Sequence, residues 1–211
     1  MPFQLGRPLG APDDPAFQRR VLAAVLSLLE ASGPCLVDFP EDEPESDEIT
    51  VLACPVYYGP RDTDDAGTDA KLAALRREIA AMRPWYDMAV ARRRRTTVGV
   101  SRLDIGALAD FIFAFVAGAE PPSLRDDVPP AYALKLAVED LKAFYIEGIT
   151  AQPGQSGASS RALQDWFWDE TVAGQVLLEL KKACEASPDK TLGFMGSHFI
   201  VPGDVARRHG S

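Results

Sequence analysis

Two histidines in 211 residues, His198 and His209, leave little room for chemistry that turns on an imidazole. The residues three places before them are Met195 and Ala206, so the chain has no Glu-x-x-His pair of the kind that builds di-iron sites in helical bundles. Cysteine is also scarce. Cys35, Cys54 and Cys184 are odd in number, far apart and without a C-x-x-C pair, which argues against a disulfide framework and a zinc knuckle. No stretch approaches the roughly 18 to 20 consecutive apolar residues of a membrane span. The opening Met1-Pro2-Phe3-Gln4-Leu5-Gly6-Arg7 lacks the basic-then-apolar layout of a signal peptide. A cytoplasmic protein without membrane contact is expected. A P-loop, a dinucleotide-binding glycine motif and a G-x-S-x-G elbow are missing too. Asp62-Thr63-Asp64-Asp65-Ala66-Gly67 begins like a calcium loop, but Ala66 and Ala73 stand at its fifth and twelfth positions, where oxygen ligands are needed. No metal or other cofactor is expected.

Positive charge is the next shortage. The formal net charge is −9, so duplex nucleic acid is disfavoured as a partner. The one concentrated basic run is Arg92-Arg93-Arg94-Arg95, and an acidic run from Asp38 to Glu48 is its natural complement, within one chain or between subunits.

What is present is an ordinary globular composition, 46% hydrophobic and 25% charged, enough for one core or one core with a small annex. Asp14 as N-cap and Pro15 at the first position open a helix whose apolar positions run from Phe17 to Leu29, stopped by Ser32-Gly33-Pro34. Cys35–Phe39 reads as a short buried strand ended by Pro40, and the β-branched and aromatic run Ile49–Tyr58 as a second beside it. A helix follows from about Asp69, with Leu72, Leu75, Ile79 and Met82 on one face. Pro84 is expected to break or kink it before a second piece ends in the arginine run. Thr96–Ser101 is a third strand candidate. Asp104 caps an apolar helix, Ile105 through Val116, that Gly118 ends.

A proline-rich joint, residues 119–130, separates residues 1–118 from residues 131–211, and the two regions are expected to pack as one compact unit. Beyond the joint, Leu134, Val138, Leu141, Tyr145 and Ile149 line the inner stripe of one long helix, and Arg161–Cys184 forms another; an antiparallel hairpin is the simplest arrangement. The expected fold is mainly α with a small β component, an α+β protein.

Leu5-Gly6, Gly10, Pro12, Gln18-Arg19, Gly33-Pro34 and Leu36-Val37-Asp38-Phe39-Pro40, in that order and spacing, resemble a segment near the C-terminal end of the selenoprotein-B-like family of glycine, betaine and D-proline reductases. The resemblance covers residues 1–40, a fifth of the chain. It implies kinship with, or service to, a reductase of that class. The redox cysteine or selenocysteine of that family has no counterpart here, and no catalytic role passes to Cys54. That residue is a reactive-thiol candidate only because Pro55 ends the strand beside it; the alternative is a small buried hydrophobe.

The Arg161–Cys184 helix carries the one discordant residue. Leu163, Trp166, Glu170, Ala173, Leu177, Leu180 and Cys184 form a stripe at alternating spacings of three and four, and one member is a carboxylate. Glu170 either lies at the stripe's edge in water, or is buried against an arginine of the 92–95 run or Tyr145, or meets another chain. Two functions stay open. The first is a non-catalytic accessory subunit that contacts a reductase-type enzyme, or itself, through protein surfaces. The second is a binder or enzyme for a small anion or amino-acid-like molecule, with a pocket around Glu170 and Trp85 to which Trp166, Tyr86, Arg92 and Arg93 contribute. The same residues also fit a packed aromatic corner beside a solvated basic turn.

Overall fold

The computed structural model describes residues 9–10, 14–41, 67–123, 125–153 and 160–210. Among these residues every regular element is helical and no strand occurs. Helix α1, Pro15–Ser27, starts where the Asp14 carboxylate accepts the Phe17 N–H at 3.0 Å with Pro15 at the first position, and passes into a 3-10 turn over Leu28–Glu30. Helix α2, Thr68–Arg93, is the longest. Helix α3, Ile105–Val116, is capped by Asp104 accepting from Gly106 N–H at 2.7 Å, and Gly118, at φ +75°, turns the chain beyond its end. Helix α4, Pro130–Ile149, opens with a proline at its first position. Then come α5, Ser160–Asp165, a π-helical turn over Trp166–Glu170, and α6, Val172–Ala186. The chain ends with α7, Lys190–Met195, a second π-helical turn over Gly196–Ile200, and α8, Gly203–Arg208.

The core joins both sides of the proline-rich joint. Leu75 and Met82 of α2, Leu108 and Ile112 of α3, Leu134, Leu141 and Phe144 of α4, and Leu177 and Leu180 of α6 are all inaccessible to solvent. Close approach of α2 and α4 depends on Gly148, where a Cβ would stand 2.8 Å from the Met82 methyl and 3.6 Å from the Tyr86 backbone nitrogen. That contact also explains why α2 runs unbroken through Pro84, contrary to the sequence expectation. Packing holds the helix on both sides of the proline, while Pro84 and Ala80, whose carbonyl loses its donor, lie on the exposed side.

The α+β expectation is therefore corrected to an all-helical fold. Cys35–Phe39 forms no strand among the described residues, and only Phe39 is partly buried; Leu36 is 97% accessible. Thr96–Ser101 is an irregular loop whose backbone donors go to side chains of α4 instead of to a strand. Ile49–Tyr58 lies outside the described residues, as do Cys54 and residues 62–66 of the acidic loop. The expected antiparallel hairpin is corrected as well. Helix α4 packs chiefly on α2 and α3, and α6 on α3, on α2 and on the tail, so the first half of the chain supplies the helices that join them.

Helix α1 stands outside this core. Phe17 and Val21 are buried but belong to a separate cluster, where the Phe17 ring meets Phe39 edge-to-face at 5.9 Å and fills the space beside Gly10.

Candidate functional site

The break inside the expected Arg161–Cys184 helix decides where Glu170 goes. Thr171 is extended, and its hydroxyl donates to the Phe167 carbonyl at 2.6 Å while accepting the Gly174 N–H at 2.9 Å, so one buried side chain closes the π-helical turn and caps α6. Gly174 has to be glycine: a Cβ there would sit 2.1 Å from the Phe167 carbonyl oxygen. The extra residue of the π turn shifts the register. Leu163, Trp166, Ala173, Leu177, Leu180 and Cys184 stay buried, whereas Glu170 is exposed.

The carboxylate that enters the interior at this point is Glu78 of α2. It accepts the Val172 N–H at 2.7 Å and the Ala173 N–H at 3.3 Å, two of the free donors that open α6, so one helix supplies the negative charge that another helix's N-terminus favours. Burial pushes the Glu78 carboxyl above its ordinary value of 4.5, with the Tyr145 hydroxyl and the two backbone donors pulling the other way. Tyr145 lies beside this carboxylate without reaching hydrogen-bond geometry, and Trp166 Nε1 has no protein partner. Burial, and secondarily the Glu78 charge, raise the Tyr145 hydroxyl well above its ordinary range. A phenol that is fully enclosed and hard to ionise does not present a proton to a substrate. Tyr145 is a packing residue, edge-to-face with Phe144 and Phe167 and tilted against Trp166.

A second pair of carboxylates, both on α4, shapes the loop after the arginine run. Asp140, fully buried, accepts the N–H groups of Gly99 at 2.8 Å, Val100 at 3.1 Å and Ser101 at 2.9 Å, together with the Ser101 hydroxyl. Two turns further on, Glu147 accepts both the N–H and the hydroxyl of Thr97 at 2.7 Å. Backbone donors converging on a carboxylate have the arrangement of an anion site, and here the protein's own acids occupy the position. The loop is held, and its donors are consumed.

The sequence-selected residues do not meet in one pocket among the described residues. Tyr86 is buried, its hydroxyl 3.0 Å from Thr96 Oγ1 and its ring against Phe144. Trp85 is partly buried on the neighbouring position of α2, Arg92 is exposed, and Arg93 donates to Thr150 Oγ1 at 2.8 Å. Trp166 is enclosed, and Cys54 lies outside the described residues. A described cavity of about 140 Å³ lies elsewhere, between the proline-rich joint and α7, lined by Phe115, Pro129, Pro130 and Leu192 with Glu120 and Asp189. Cys184 is buried, and burial together with nearby Glu185 pushes its thiol up to about 11, the condition of an inert structural cysteine. Among the described residues no group of three or more His, Cys, Asp or Glu side chains is placed to hold a metal, and no helix is long and apolar enough to cross a membrane.

The feature sequence reasoning passed over is a surface. Of the twelve exposed large hydrophobic side chains described, seven fall between residues 22 and 37: Leu22, Val25, Leu26, Leu28, Leu29, Leu36 and Val37. Leu26 is 60% and Leu29 81% accessible. On a helical wheel Leu22, Val25, Leu26 and Leu29 share an arc of about 100°, the width of a core-facing stripe. The signal was in the sequence: α1 has apolar positions on more of its circumference than Phe17 and Val21 can bury. Compared with known proteins, the chain matches no family model, no curated protein and no solved structure.

Proposed function

We propose that the chain is a non-catalytic accessory subunit that works through protein–protein contacts, with the apolar surface of residues 22–37 as its contact face. The single observation that carries this reading is the concentration of exposed leucine and valine on α1 and the segment after it, an apolar stripe of the kind that marks interaction sites on soluble domains. The interior is consistent with it: the carboxylates of Glu78, Asp140 and Glu147 accept from backbone donors and hold them in place, so these three acids are committed to the fold. The partner class comes from the resemblance of residues 1–40 to the selenoprotein-B-like reductases, which includes this face; a reductase-type enzyme complex in the cytoplasm is the assembly the subunit would serve.

Affinity purification of the full chain from its native host, with mass spectrometry of what elutes, tests the proposal. Co-elution of an oxidoreductase, lost in Leu26→Glu, is the expected result. A chain that elutes alone, monomeric and without any oxidoreductase, would overturn it.

A further inference from the structure

We infer that the α1 face is closed by the same face of a second copy of this chain, in an antiparallel two-fold pairing, so that the accessory subunit is a dimer. The inference rests on reading residues 22–37 as the contact face and names a second copy as its occupant, so that an oxidoreductase would meet the assembled dimer and not the stripe itself.

The stripe is self-complementary in one orientation. A two-fold axis passing between Val25 and Leu26 sets Leu22 of one copy against Leu29 of the other and Val25 against Leu26, so every large apolar side chain of the arc meets another. Charge selects the same orientation. Arg19 and Glu30, both exposed, lie on one flank of the arc at its opposite ends. In an antiparallel pair that flank faces its own copy, and at 1.5 Å per residue Arg19 falls within about 3 Å along the axis of Glu30 in the second copy. Two such ion pairs form by symmetry. A parallel two-fold pairing would instead set this flank against the opposite flank of the second copy, and neither Arg19–Glu30 pair would form. The exposed Leu36 and Val37 extend the apolar area beyond the helix end.

The contact is of modest size, near the low end for specific interfaces, so a dimer forming in the range of roughly 1–100 µM is expected. Sedimentation velocity on the purified full chain, as a concentration series, measures it. Leu26→Glu should weaken dimerisation at least about 10-fold with an unchanged far-ultraviolet circular dichroism spectrum, because Leu26 lies outside the core. Arg19→Glu and Glu30→Arg should each weaken it about 3-fold, and the double variant should recover the lost affinity, since the swapped charges pair again across the axis. A chain that stays monomeric to about 500 µM, well above the expected range, overturns the inference, and does so while leaving the accessory-subunit reading intact if an oxidoreductase still co-elutes. A dimer indifferent to Leu26→Glu, or one that the double charge swap does not restore, overturns it as well. A dimer that responds as expected but never brings an oxidoreductase with it upholds the second copy and removes the reductase partner.

Discussion

Helices α1 and α6 carry the same kind of apolar periodicity and meet opposite fates. Both have a side-chain cap at the start, Asp14 in one and Thr171 in the other. In α6 the stripe from Ala173 to Cys184 is covered by α2, α3 and the tail, and even its opening N–H groups are answered by a carboxylate from α2. In α1 only Phe17 and Val21 are covered, and the leucines one arc further round face solvent. Amphipathic periodicity fixes which residues seek a cover; it does not say whether the same chain provides it. Where the chain does, the outcome is core. Where it does not, the outcome is a surface for another molecule.

Three substitution pairs break or sharpen that contrast. The largest effect is expected at the glycine that lets the π-helical turn fold back on α6. Gly174→Ala puts a Cβ into the Phe167 carbonyl and should cost roughly 4 kcal/mol or prevent folding, whereas Gly33→Ala, just past α1 with open space around it, should stay within about 0.5 kcal/mol. Urea denaturation of both variants reads the difference, and equal midpoints would show that the turn at Trp166–Glu170 is not packed as described.

Truncating a leucine in each helix comes next. Leu177→Ala in the core should cost about 3 kcal/mol, and Leu26→Ala on the open face less than about 0.5 kcal/mol in the monomer. A similar loss in both, measured at a protein concentration low enough to keep the chain monomeric, would mean that α1 is covered by its own chain after all.

The smallest effect is a pH dependence confined to α6. Because the folded Glu78 carboxyl titrates above its ordinary value of 4.5, the folded state binds the proton more tightly than the unfolded chain. The stabilisation from that proton is fully present below about 4.5 and is lost as pH rises through the folded value. Glu78→Gln keeps an acceptor for the Val172 N–H and removes the titration, so stability measured between pH 4 and 7 should fall less steeply in the variant. A parallel pair of profiles would put the burial of Glu78 in doubt. Glu30→Gln, in the exposed 3-10 turn that follows α1, is the paired variant.

Helix positions were legible because their signals are local. Asp14 with Pro15, Asp104, Gly118 and the stripe Leu134, Val138, Leu141, Tyr145 and Ile149 all act over one or two turns, and each occurs where its pattern points. The strands failed for the complementary reason. A β-branched run becomes a strand only if a neighbour supplies a ladder, and at Thr96–Ser101 the donors found Asp140 and Glu147, some forty to fifty residues further along the chain. Glu170 drew attention as a misplaced carboxylate under the assumption of an uninterrupted 3.6-residue period. The π turn adds a residue and carries it to the surface, while Glu78 of α2 is the acid that lies beside Tyr145 and accepts from the opening N–H groups of α6.

By itself, then, the sequence determined the capped helices, the negative charge that disfavours nucleic acid, and the lack of a histidine- or cysteine-based catalytic motif, since these depend on composition and on neighbours within a turn or two. Tertiary structure alone decided which carboxylates entered the core, that α4 and α6 would be joined through α2 and α3, and that the leucines of α1 would be left facing solvent. Each of those outcomes turns on partners tens of residues away, whose positions no local pattern encodes.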